Sequence, residues 1–174
     1  MDAVATAARV SKSTLYGLYP NRHALLCAVV DAEAERIDWP LSEAPETLDQ
    51  LRLQLEQLVV SMHAFLADGR HAAMMQAMGQ AAPPLRDLRA VYLHGPQRSL
   101  CRIADHLAQA NDLGLVAVPD PNVSAEWLLG MAMGLDLVRA MYRQPSPRES
   151  RSANTAYARA VADAFLAMHR PNAR

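Results

Sequence analysis

Between Leu48 and Leu66 the apolar positions return with a helical rhythm. Leu48, Leu51, Leu55, Leu58, Val59, Met62, Phe65 and Leu66 follow i, i+3 and i+4 spacings, which line up on one stripe of a helix. Asp68-Gly69 ends the stripe. The same rhythm, more loosely kept, runs through Leu25, Leu26, Val29, Val30 and Ile37. Asn21 precedes that segment as an N-cap candidate, because its side chain can accept from an orphan amide. Ahead of it, residues 2–8 form a short helix, Arg9-Val10-Ser11 a turn, and Ser11 caps a second helix that stops at Pro20. Pro40 to Pro45 is a connector. A shorter helix covers 71–81, Pro83-Pro84 opens the next, and Gly95-Pro96 kinks or splits that one before Asn111. A loop over 112–121 leads to helices from about Asn122 to Tyr142 and from about Arg148 to His169.

No segment alternates with period two, and alanine and leucine outnumber β-branched residues, so the fold class is all-α. Length and composition agree with that: 174 residues, 51% hydrophobic and 20% charged, fill one domain or a small module joined to a larger one. A formal net charge of −1 removes any global basic field, so a nucleic-acid site must rest on a local patch. Cys27 and Cys101 stand far apart without a CxxC partner and read as reduced, buried thiols of a cytoplasmic protein. The longest apolar run, Trp127 to Leu135, is about half the ~20 residues of a bilayer span. Met1-Asp2-Ala3 lacks the start of a signal peptide.

Enzyme motifs fail on inspection. "SKST" at 11–14 lacks the G-x-x-x-x-G that a phosphate loop needs, and no S-x-x-K, G-x-S-x-G or HExxH occurs. Asp105-His106 and Asp136 read as solvated helix positions. Neither catalysis, cofactor nor metal is expected.

Candidate chemistry gathers near the start. Val4, Ala5, Ala8, Val10 and Leu15 can pack two short helices across a three-residue turn, a helix-turn-helix geometry. On the second helix, Leu15 and Leu18 point inward and leave Lys12, Ser13, Thr14, Tyr16 and Gly17 on the outer face. Hydroxyls, a lysine (the only one in the chain) and a tyrosine suit phosphate oxygens and base edges. The helix N-terminus adds a positive dipole end, and Arg22 stands ready for a backbone phosphate.

The stretch "VATAARVSKSTLYGLYPNRHALL", Val4 to Leu26, resembles the second half of the DNA-binding domain of TetR/AcrR-type transcriptional regulators. Val10-Ser11, Thr14-Leu15-Tyr16, Tyr19 and Arg22 carry the pattern. The resemblance implies that Lys12, Ser13, Thr14 and Gly17 face base edges, while Ser11, Tyr16, Tyr19 and Arg22 meet the sugar-phosphate backbone. It implies a partial DNA-binding unit over 1–38 and a helical effector-binding and dimerisation domain over 45–174. Arg9 stands where glycine is common, and in a left-handed conformation it is strained by roughly 1–2 kcal/mol. Leu18 replaces a residue that often reaches phosphate. The family's first helix and basic arm find no room ahead of Met1, which leaves Val4, Leu15 and Leu18 without their main cover.

For the body, the expected effector is a small apolar molecule held by Met62, Phe65, Met74, Met78, Trp127 and Met131, with His63, His94 and His106 as polar anchors. Gly130 and Gly134, with Ala153, Ala156, Ala160 and Ala164, supply small residues at helical spacing in the last two helices, through which the family dimerises. The expected function is a ligand-responsive, DNA-binding regulator, a repressor released by its effector. The alternative is a dimeric small-molecule-binding protein whose DNA reader is incomplete.

Overall fold

A computed structural model describes residues 1–37 and 39–171. Among them are ten helices: α1 Asp2–Ala8, α2 Lys12–Leu18, α3 Arg22–Ala34, α4 Leu48–Ala67, α5 Gly69–Ala81, α6 Leu85–His94, α7 Pro96–Asp112, α8 Pro121–Met133, α9 Asp136–Met141 and α10 Arg151–Met168. None is long and apolar enough to cross a membrane.

Local chemistry starts most of them. The side chains of Ser11, Asn21, Thr47, Asp68, Asp120 and Ser150 each accept from an amide in the first turn of the helix that follows. Asp68 both ends α4 and caps α5, so α5 begins at Gly69, two residues earlier than its apolar pattern suggests. Gly95-Pro96 splits α6 from α7, because Pro96 cannot donate its missing N–H but suits the first helical position.

The core is built by α4, α7, α8 and α10. Leu51, Leu55, Leu58 and Val59 of α4 meet Phe165, Ala158 and Ala162 of α10, with Ile103 and Leu107 of α7 and Leu128 of α8. The loop after α7 contributes Val116 and Val118. Outside this bundle, α3 lies along α6 and α6 along α7, which joins the N-terminal helices to the body.

Several expectations need correction. The expected helix over 122–142 is broken at Gly134, whose φ is +50°. A Cβ there would stand 3.0 Å from the Tyr157 hydroxyl, which donates to the Met131 carbonyl in the last turn of α8. Gly134 therefore ends α8 and lies close against the Tyr157 side chain of α10. Asp136 is not solvated. Its carboxylate accepts from Arg148 Nε at 2.9 Å, Arg139 Nη1 at 3.0 Å and Ser146 Oγ at 3.0 Å. Burial alone would raise its pKa, but these donors bring it below the usual carboxylate value. Arg148 lies in this network ahead of α10, which starts at Arg151 on its Ser150 cap. His106 is buried against Gln54 Oε1 at 3.0 Å rather than solvated, and burial lowers its pKa. Cys27 is half-buried and Cys101 exposed, so neither is a core thiol.

Candidate nucleic-acid interface

The reader is assembled from α1, a tight turn and α2. The α1 helix closes on Arg9, which adopts the left-handed conformation with φ 55°. The amide of Val10 then returns to the Ala5 carbonyl at 3.0 Å, satisfying a C-terminal carbonyl of α1. Ala5 and Leu15 are buried, one on each helix. Ser11 Oγ accepts from the Thr14 amide at 3.0 Å and lies 2.8 Å from Ser13 Oγ and 2.7 Å from Thr14 Oγ1. The hydroxyls thus form a pre-positioned cluster at the N-terminus of α2. Asn21 Oδ1 accepts from the Ala24 amide at 2.9 Å and starts α3 three residues after α2 ends.

On this frame Ser11, Lys12, Ser13, Thr14, Tyr16, Gly17 and Arg22 are exposed and Tyr19 is half-buried. Nothing lies within 4 Å of a Cβ built on Gly17, so the helix there offers a bare backbone. Lys12 is engaged: its Nζ lies 2.6 Å from Asp2 Oδ2, an exposed pair between α2 and α1. The hydrogen bond lowers the pKa of Asp2 and raises that of Lys12. Leu18 does not point inward. It is 70% exposed, and Val4 and Val10 are each 41% exposed, because the short α1–α2 contact covers only the Ala5 and Leu15 side.

The apolar residues expected around an effector are dispersed. Met62 is in the core and Phe65 packs against it. Met74, Met78 and Met131 are half-buried. Trp127 is 51% exposed and tilts against His169 with ring centroids 6.2 Å apart. Two concavities among the described residues are lined by none of these six. One, of about 220 Å³, lies between Trp39, Leu41, Arg102 and Gln109. The other is a shallow, solvent-open face formed by Arg151, Thr155, Ala156 and Arg159 of α10 alone.

The three expected polar anchors are already engaged by the protein. His63 donates from Nε2 to the Ala132 carbonyl at 2.7 Å and meets the Asn154 amide through Nδ1. His94 Nδ1 pairs with Asp31 Oδ1 at 2.9 Å, and His106 with Gln54. Sequence reasoning missed His71, on α5. Its ring lies 4.4 Å from that of Phe65, and its Nδ1 is buried with no hydrogen-bond partner. Burial lowers its pKa, against the opposing pull of the Glu33 and Asp68 carboxylates nearby. Its place one turn ahead of Met74 and Met75 was the only signal for it.

Residues 53–171 match the family described as "AefR-like transcriptional repressor, C-terminal domain". The chain belongs to the TetR family of transcriptional regulators. The flavonoid-responsive regulator FrrA has the same fold, with TM-score 0.80 over 99% of this chain and 87% of its own at 24% identity. A TetR-family regulator from Mesorhizobium loti matches with TM-score 0.73, 26% identity, 96% of this chain and 84% of its own. A TetR regulator from Agrobacterium tumefaciens matches with TM-score 0.77, 21% identity, and coverages of 98% and 84%. No curated protein matches the chain. In this TetR-family regulator the body over 53–171 therefore carries the family assignment by sequence, while α1 to α3 carry the candidate DNA chemistry.

Proposed function

We propose that this TetR-family chain is a homodimeric, ligand-released repressor that reads operator DNA with the exposed face of α2. The observation that carries the reading is the capped hydroxyl cluster Ser11-Ser13-Thr14, next to Lys12 and Tyr16, on a helix with one buried residue. Lys12, Ser13, Thr14 and Gly17 face base edges, and Ser11, Tyr16, Tyr19 and Arg22 grip the flanking phosphates. The reader corresponds to residues 1–38, and the effector-binding and dimerising part to 45–174.

Two recognition helices need a dimer to meet two half-sites. The outer surface of α8–α9 supports one: Trp127, Leu135, Val138, Met141 and Tyr142 are all exposed, Met141 by 79%. Gly130 has no neighbouring atom within 4 Å of its Cβ position, and Ala156, Ala160 and Ala164 are exposed along α10. A second copy's last helices fit such a surface.

The effector is a small apolar molecule with one hydrogen-bonding group. It enters beside α5, where Phe65, Met74 and Met78 are only partly covered and His71 Nδ1 lacks a partner. Met62 and Met131 lie deeper, and Trp127 belongs to the dimer face. Effector binding acts by favouring a spacing of the two α2 helices that no longer fits both half-sites.

One observation favours the other reading, a dimeric ligand binder that does not engage DNA: Leu18, Val4 and Val10 leave apolar surface on the reader. Fluorescence anisotropy decides between them, using a duplex from the region upstream of the gene and a random duplex. The repressor reading predicts preference for the upstream duplex and an affinity falling on the order of 10³-fold between 50 and 200 mM salt. Equal binding to both duplexes, or none, refutes it.

A further inference from the structure

Where α3 meets α6, three side chains stand in an order that DNA reading does not use. His23 Nδ1 lies 2.8 Å from Oδ1 of Asp87, a buried residue of α6. A carboxylate only accepts, so Nδ1 carries the hydrogen and the lone pair falls on Nε2. That Nε2 is 3.8 Å from Cys27 Sγ, one turn further along α3. A thiol, an imidazole and a buried carboxylate in this sequence are a nucleophile, its base and the group that orients the base. Cys27 and His23 are both half-buried, so neither is sealed in the core.

We propose that Cys27 is a covalent modification site for soft carbon electrophiles, specifically conjugated carbonyl compounds. The thiol proton passes to His23 Nε2, and the sulfur attacks the β-carbon of the conjugated system. A C–S bond forms as the C=C π pair moves onto the carbonyl as an enolate. The enolate carbon then takes the proton back from the His23 imidazolium. The whole electrophile is added, no group leaves, and neither oxidant nor reductant is consumed. Asp87 is a positioning residue that acts through His23.

Cys101 provides an internal comparison. It is exposed, and its polar neighbour is Gln97 Nε2 at 3.6 Å, which cannot take a proton. Access alone therefore ranks Cys101 first, whereas base assistance ranks Cys27 first. An adduct at Cys27 enlarges a side chain within the α3–α6 contact, directly after the reader helix. Its effect on DNA rests on the function proposed above, but the chemistry at the thiol does not.

The test treats the folded chain with N-ethylmaleimide and follows each cysteine by peptide mass mapping. Cys27 is expected to be labelled on the order of tenfold or more faster than Cys101. H23Q brings the Cys27 rate down to that of Cys101 and leaves the Cys101 rate unchanged. D87N does the same and D87E restores part of it, with circular dichroism reporting the fold of each variant. Labelling of Cys27 no faster than Cys101, or unaffected by H23Q, overturns the proposal. In the C101S background, full alkylation is then expected to weaken binding to the upstream duplex. Fast labelling with unchanged DNA affinity would leave the site standing and refute its coupling to the reader.

Discussion

The two glycines of "GMAMG" are four residues apart, yet their replacement by alanine should move stability in opposite directions. At Gly134 the backbone has φ +50° and ψ −127°, a region closed to side chains and costing about 1–3 kcal/mol for alanine. The added Cβ also stands 3.0 Å from Tyr157 Oη and 3.4 Å from an Arg148 nitrogen. Moving that hydroxyl gives up its bond to the Met131 carbonyl, worth about 0.5–1.5 kcal/mol. G134A should therefore lose about 2–4 kcal/mol, or about 4–16 °C in melting temperature at this chain length. Gly130 lies inside α8 with open space at its Cβ position, so G130A should gain up to about 1 kcal/mol from helix propensity. Melting followed by circular dichroism, at two protein concentrations to expose any dimer term, measures both. In the G134A background, Y157F should cost less than it does alone. Equal effects at the two positions, or a neutral G134A, would refute the account of the α8–α9 break.

Further expectations follow from the core, the buried histidines and the reader. F165A, which removes a fully buried ring between α10 and α4, should lower unfolding free energy by about 3–5 kcal/mol in urea titrations; a loss below 1 kcal/mol would contradict the assigned core. Burial lowers the pKa of His106 and of His71, so below about pH 6.5 the unfolded chain binds more protons than the folded one. Stability should thus fall as pH drops from about 6.5 toward the folded values, with a flatter slope in H106Q; an unchanged slope would contradict the buried site. R22Q should reduce the slope of log affinity against log salt by about 0.9 per lost phosphate contact. D2N, which releases Lys12, should tighten DNA binding and steepen the slope, and a weaker D2N complex would argue against Lys12 as a DNA contact.

Local features were legible in the sequence, and contacts between distant segments were not. Ser11 and Asn21 announce α2 and α3 because a cap acts within three residues. The apolar stripe of α4 announces its buried face because packing repeats with the turn. The break at Gly134 depends on Tyr157, 23 positions later, and on Arg148 reaching Asp136. His63 looks like a polar anchor in the sequence because its partners, Asn154 and the Ala132 carbonyl, belong to helices that only the fold brings near. At the reader, the exposed positions of α2 follow from helical spacing, whereas Leu18 depends on what covers it, which spacing cannot supply. The Cys27–His23 spacing is one turn of a helix and can be read directly; Asp87, 64 residues beyond His23, cannot.

Amide hydrogen exchange, with and without the upstream duplex, reports which segment of the chain the DNA covers. If α2 reads DNA, protection should concentrate on residues 11–22, in α2 and the first turn of α3, and disappear when salt releases the complex. Protection confined to the body, or no change in 11–22 while the duplex is bound, would contradict that reading.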